Sequence, residues 1–356
     1  MSDLITRRQP AWGWRSLALA IVLGPVAGAA WAADPAPAQA EAGTLAASSP
    51  AKPDPAKQFT EVLIPIRGSG MFGGDDDMPA RVFKPDGAGP FPLVVFSHGR
   101  ASDLASRRHV LQGVSSEQVR YWVGRGFAVV SPVRPGYGPK GGGDPESSGA
   151  HFSGTGVCDR QPDYRHALAP AVKSVEATLA WAKGQAWADT RRIVLVGQSM
   201  GGFTTVGSGA QHWPGVIGYV NFAGGAGGSP ELSPGHSCDP RQLEQIFGEL
   251  GKATQVPNLW VYAHNDQYFG PDEPPKWHAA FAKGGSPTRF VHHPDLDDGD
   301  GHGLSRHSRK IWGPYVDGFL AGLGFKLPAP RGEDTPAATA ARGAASSAAA
   351  KAGDEE

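Results

Sequence analysis

A serine stands between glycines at Gly197-Gln198-Ser199-Met200-Gly201, directly after the run Arg-Ile-Val-Leu-Val at 192–196. In a chain with 50 glycines, Gly-x-Ser-x-Gly alone is a weak signal. Its surroundings sharpen it, because the preceding run suits a strand and residues 203–211 suit a helix. Such a strand–turn–helix junction is strained and needs small flanking residues. It holds the serine hydroxyl out at its tip, near the positive end of the helix. A phosphate loop would carry Lys-Ser or Lys-Thr after its glycines, and none follows. A plain tight turn is the other reading.

The chemistry such a serine offers is attack on a carbonyl. The hydroxyl becomes a good nucleophile only when a base takes its proton and a carboxylate orients that base. For this kind of junction the chain order is serine, acid, histidine. The apolar run at 259–263 ends in His264-Asn265-Asp266-Gln267, which puts Asp266 just past a strand. Asp272 is the main rival acid, with the acidic run at 297–300 behind it. His302, between Gly301 and Gly303, is the base candidate. It is preferred because His292 and His293 lie on or at the end of a strand-like run and His307 begins the last helix.

The oxyanion of a tetrahedral intermediate needs two backbone donors. Met200, after the serine, supplies one. Arg100 or its neighbour, in Ser97-His98-Gly99-Arg100, supplies the other. His98 comes too early in the chain to be the base and reads as a brace for that loop. Tyr137 and Tyr268 each follow a strand end and are expected substrate contacts. The run Asp295, Asp297, Asp298, Asp300, His302 fails the EF-hand spacing, since from Asp298 the bidentate position falls on Arg309. It reads as a solvated acidic loop. No metal or cofactor is expected.

These side chains need a scaffold. Short apolar runs recur at 92–97, 127–133, 192–197, 216–222, 259–263 and 288–292, as in strands buried on both faces of a parallel sheet. Helical spacing appears between them. Val110, Val114, Val119 and Val123 line one stretch that a glycine at 126 ends. Leu168, Val172, Val175 and Leu179 line another. Trp277 and Phe281 mark a third, and Ile311, Tyr315, Phe319 and Leu320 a fourth. The alternation predicts an α/β fold with a mostly parallel central sheet and helices on both faces. The proline-containing runs 61–66 and 80–83 read as an antiparallel edge pair.

Two long segments follow strands, 135–162 and 224–256, the second with a short helix from Pro240 to Leu250. Loops at the carboxyl ends of parallel strands gather the function, so both are expected over the active site. Each carries one of the two cysteines, Cys158 and Cys238.

The ends read differently. Arg7, Arg8 and Arg15 precede an apolar run from Leu17 and a small-x-small site at Ala30-Trp31-Ala32. Residues 1–32 therefore read as a secretory signal peptide, by the general rather than the twin-arginine route because Pro10 follows the arginine pair. Residues 33–57 read as a disordered linker and 328–356 as a disordered low-complexity tail. Residues 58–327 are left as one domain. Export to the periplasm or beyond predicts that the cysteine pair forms a disulfide pinning the two insertions together. The 33 basic and 34 acidic residues give a net charge of -1, which offers nucleic acid no attraction, and no stable membrane span is expected.

VVFSHGR at 94–100, VLVGQSMGG at 194–202, YAHNDQYF at 262–269 and GDGHGL at 299–304 occur in this order along most of the core. In them the chain resembles the α/β-hydrolase superfamily, and within it the secreted dienelactone-hydrolase-like and esterase-like members. The resemblance implies Ser199 as nucleophile, Asp266 as acid and His302 as base, with Arg100 and Met200 donating backbone amides. Dienelactone hydrolase itself carries cysteine at the elbow. Ser199 in its place argues against dienelactone and for ester or amide acyl transfer. The expectation is an exported serine hydrolase acting on a small-molecule or polymer ester. A peptidase or acyltransferase with the same triad is an alternative, as is a non-catalytic envelope binding protein. Oligomeric state is silent.

Overall fold

The apolar runs form the strands they suggest. A computed structural model of the chain describes residues 53–68, 74–297 and 299–328. Two strands open it, β1 (Thr60–Ile66) and β2 (Asp76–Phe83), followed by β3 (Phe91–Ser97) and β4 (Ala128–Pro132). A small hairpin, β5 (His151–Phe152) and β6 (Cys158–Arg160), precedes β7 (Ala188–Gln198) and β8 (Val216–Phe222). A second hairpin, β9 (Gly228–Ser229) and β10 (Ser233–Ser237), precedes β11 (Asn258–Ala263) and β12 (Thr288–His293). The main sheet has eight strands in the order β1-β2-β4-β3-β7-β8-β11-β12. The pairs β1–β2 and β2–β4 are antiparallel, which confirms the expected edge pair, and the rest are parallel.

Side chains alternate across this sheet and build a core on each face. Val94, Val194, Val220 and Val261 point to the face covered by α2 (Ser116–Gly124) and α7 (Arg309–Gly322), through Trp122, Trp312 and Leu320. Leu93, Leu195 and Trp260 point to the other. There α3 (Tyr164–Ala182), α4 (Met200–Gly209), α5 (Pro240–Ala253) and α6 (Glu273–Ala282) pack, through residues such as Phe203, Phe247 and Phe281. The remaining helix, α1 (Leu104–Arg108), is a single turn.

One expected helix is shorter than its pattern. Val110 and Val114 lie in a loop, and α2 begins at Ser116, where the Ser115 side chain accepts from the Gln118 amide at 3.3 Å. The loop is held by Gly113, which lies flat on His98: a Cβ there would be 2.4 Å from the His98 Cβ. Pro55–Lys57, read as the end of the linker, form a 3-10 turn, and Asp54 beside it pairs with Arg120 at 2.7 Å. That ion pair draws the chain against α2 before residue 58. The expected signal peptide, most of the linker and most of the tail lie outside the described residues. Among the described residues no helix is long and apolar enough to cross a membrane.

Cys158 and Cys238 form a disulfide with Cα atoms 5.0 Å apart, joining the two insertions across 80 residues of sequence. In the chain-entropy account a loop of that length contributes about 4 kcal/mol. Cys158→Ser is expected to lower the denaturant midpoint of the oxidised protein accordingly. It should leave the protein treated with reductant unchanged, and paired urea titrations measure both.

Candidate active site

Ser199 follows β7 directly and caps α4 with φ 59° and ψ -126°, a sparsely populated conformation for a side-chain-bearing residue. The turn exists because its glycines let backbones meet. A Cβ at Gly197 would lie 2.1 Å from the Gly201 carbonyl oxygen, and one at Gly201 1.9 Å from that of Ser97. Both clashes are with backbone, which cannot swing aside. Gly201→Ala is therefore expected to destabilise the fold by at least about 3 kcal/mol, read as a fall in the denaturation midpoint.

The histidine loop is pinned over this elbow. Asp300 accepts from the amides of His302 and Gln267, each at 2.9 Å, and the Gln198 side chain donates to the His302 carbonyl at 3.0 Å. Asn265 accepts from the Leu296 amide at 3.0 Å and donates to the Gly299 carbonyl at 2.7 Å. His302 Nε2 then lies 2.8 Å from Ser199 Oγ, and Nδ1 lies 3.0 Å from Asp266 Oδ2. The Asp266 carboxylate is fully buried, and its Oδ1 accepts from the amides of Tyr268 at 2.8 Å and Phe269 at 3.1 Å. An acceptor at Nδ1 fixes the proton there, so Nε2 faces the Ser199 hydroxyl as an acceptor.

Tyr268 stacks on the His302 ring, with centroids 4.0 Å apart at 26°, and Phe269 meets the same ring edge-on at 5.2 Å. Burial raises the Tyr268 pKa above its usual value, so the phenol stays neutral against the imidazole.

Met200 opens α4, where first-turn amides have no partner inside the helix. Gly99 lies against the serine: a Cβ there would be 3.3 Å from the Ser199 Cβ. Arg100, Met200 and Ser199 line one cleft together.

Two clefts meet at Ser199, Arg100 and Tyr268. One, of about 340 Å³, is walled by the two insertions through residues such as Phe152, Ala226 and Leu232, and continues to Met200 and Phe269. The disulfide ties those walls together, and both insertions border the site as expected. The other, of about 440 Å³, is lined by His302, Asp300, Arg306, Gln112 and Val110.

Among the expected contacts, Tyr268 lines both clefts. Tyr137 does not face either: it is 4 % exposed, and its hydroxyl donates to Glu146 at 3.0 Å. The strand end before it supplies Arg134, whose ion pair with Glu146 draws the phenol inward, so the expected substrate contact at Tyr137 is corrected to a buried one. His98 is a brace, as expected. Burial, joined by the charge of Arg134, holds its pKa well below the ordinary value. Asp272 is not in hydrogen-bond contact with His302, and Asp295 pairs outward with His264 at 2.8 Å. Among the described residues no group of three or more His, Cys, Asp or Glu is arranged to hold a metal.

The supporting residues Gln198, Asn265, Arg134 and Glu146 have no role in the sequence reading, and Asp300 enters it only within the acidic run. Gln198 and Asn265 are polar residues flanking the serine and the acid at strand ends, a usable signal. Arg134 and Glu146 carry none, since their pairing crosses a Gly- and Pro-rich loop.

No protein-family model matches the chain, and no curated protein does. Solved structures do. An acylaminoacyl peptidase in complex with Z-Gly-Gly-Phe-chloromethyl ketone is 15% identical, covering 78% of this chain and 44% of its own, with a TM-score of 0.50. A puromycin hydrolase is 15% identical, covering 79% and 42%, also at 0.50. An esterase from Pyrococcus furiosus is 12% identical, covering 76% and 94%, at 0.48. The chain spans less than half the length of the first two. At such identity the first two likenesses speak to architecture alone, and with the strand order above they give the chain an α/β-hydrolase fold.

Proposed function

We propose that this chain, an α/β hydrolase by fold, is an exported serine hydrolase that cleaves carboxylic esters through an acyl-enzyme intermediate. The observation that carries this reading is the unbroken hydrogen-bonded line from Ser199 Oγ through His302 to Asp266. Ser199 Oγ attacks the ester carbonyl while His302 Nε2 takes its proton. The amides of Met200 and Arg100 receive the oxyanion. His302 then returns the proton to the leaving alkoxide. The cleft that holds His302 receives the alcohol, and the cleft between the insertions receives the acyl group. A water entering from the alcohol side repeats the cycle in reverse and frees Ser199. Asp266 holds the imidazole in the working tautomer and stabilises the imidazolium. This chemistry needs no cofactor, and the substrate is a small-molecule or polymer ester. A disulfide persists in an oxidising compartment, which supports export.

The test runs p-nitrophenyl esters of graded chain length beside peptide anilides. Hydrolysis of the esters with anilides untouched is the expected result. Faster anilide cleavage would transfer the reading to a peptidase. No turnover of either would leave the binding-protein alternative.

A further inference from the structure

Beneath the loop after β3 lies a buried polar cluster outside the triad. The side chains of Arg134 and Glu146 are each 1% exposed. They form a two-pronged pair, Nε with Oε1 and Nη2 with Oε2, the latter at 2.9 Å. A buried pair of this kind adds little net stability over apolar residues, because desolvation offsets the attraction. What it does here is hold a guanidinium against backbone. Arg134 Nη1 donates to the His98 carbonyl at 2.7 Å, and Nη2 reaches the Gly99 carbonyl at 3.4 Å.

His98 grips the same place. The Arg134 amide donates to His98 Nε2 at 3.2 Å, so Nε2 carries no proton. Nδ1 therefore does, and it donates to the Gly99 carbonyl at 2.7 Å. The depressed pKa of His98 agrees with a neutral ring.

The Gly99 carbonyl and the Arg100 N–H belong to one peptide unit. Among the described residues the cis bond is Gly89–Pro90, so Gly99–Arg100 is trans and its C=O and N–H point in opposite directions. Anchoring the oxygen inward turns the N–H outward, on the edge of the loop that lies against Ser199. We propose that His98 and Arg134 are positioning residues that hold the Gly99–Arg100 peptide plane so that the Arg100 N–H meets the oxyanion. Donors on the carbonyl oxygen also polarise the peptide and strengthen its N–H as a donor. The proposal rests on the hydrolytic reading above.

The test compares His98→Leu, which removes the donor, with His98→Asn, whose side-chain amide can replace the Nδ1–H. With a p-nitrophenyl ester, His98→Leu is expected to lower kcat by about 10²-fold with KM little changed, the signature of a weakened oxyanion site. Affinity for phenylboronic acid, a mimic of the tetrahedral intermediate, should fall by the same factor. His98→Asn should restore kcat to within about tenfold of wild type. Unchanged kcat and boronate affinity in His98→Leu overturn the proposal, and so does an equal loss in both variants. If neither variant folds, wild-type protein carrying ¹⁵N-arginine decides: the Arg100 amide proton must shift downfield on boronate binding, and an unmoved amide overturns the proposal. Wild type that hydrolyses no ester and takes up no fluorophosphonate defeats the hydrolytic reading itself. An active wild type beside an unimpaired His98→Leu defeats only the positioning role.

Discussion

Ser199→Ala is expected to lower ester turnover by about 10⁶-fold, the scale on which loss of a triad nucleophile acts. The substitution removes one oxygen and leaves the elbow intact, since alanine keeps the Cβ and the backbone bonds that hold the turn. The Ser199 amide still donates to the Phe222 carbonyl at 3.0 Å, and its carbonyl still accepts from Phe203 at 3.0 Å. An unchanged melting temperature should accompany the loss, so that the effect reads as chemistry rather than folding. A residual rate above that of water is also expected, because the backbone amides proposed to receive the oxyanion remain. Steady-state kinetics with a p-nitrophenyl ester measures both, with the protein purified from cells of low background esterase activity.

Asp266→Asn is expected to lower kcat by about 10⁴-fold, and its reason is electronic rather than steric. The carboxylate and the amide have the same shape. Asp266 Oδ1 accepts the amides of Tyr268 and Phe269, so an asparagine settles with its oxygen on those two donors. Its NH₂ group then stands in the place of Oδ2, 3.0 Å from His302 Nδ1, and opposes a proton there, while the remaining oxygen, 3.1 Å from Nδ1, is already engaged by the two amides. The proton moves to Nε2, which now donates toward Ser199 Oγ instead of receiving from it. The imidazolium of the transition state also loses its buried counter-charge. KM should change far less than kcat, because Asp266 touches no substrate. A KM effect as large as the kcat effect would mean that the loop has moved and that the tautomer argument is wrong.

How much of this was legible in the sequence follows from what each feature depends on. Strands buried on both faces write themselves as short continuous apolar runs, so β8 was readable to its ends, Val216 and Phe222. Ser199 and Asp266 stand just after such runs, and His302 lies in the loop that follows the last of them, so chain order selects these three as candidates among twelve histidines and many carboxylates. Valine spacing over 110–123 misled about α2, since the loop before Ser115 is shaped by contact of Gly113 with His98, a tertiary effect that no local period records. Tyr137 is read by position after a strand, the same rule that selects Tyr268, which does line both clefts. The rule failed because Arg134 and Glu146 meet in the interior and claim its hydroxyl. A buried ion pair between residues twelve apart in a Gly- and Pro-rich loop leaves no periodic trace, so neither it nor its grip on the Gly99 carbonyl could be read before the chain was folded.

The central claim is that Ser199, and no other serine, is made reactive by His302. Treating the full chain with an alkyl fluorophosphonate and mapping the adduct by tandem mass spectrometry tests it most directly. The account predicts one phosphonyl group per chain, on the peptide containing Ser199, and none in His302→Ala. An unmodified protein, or a label carried on a different serine, would contradict it.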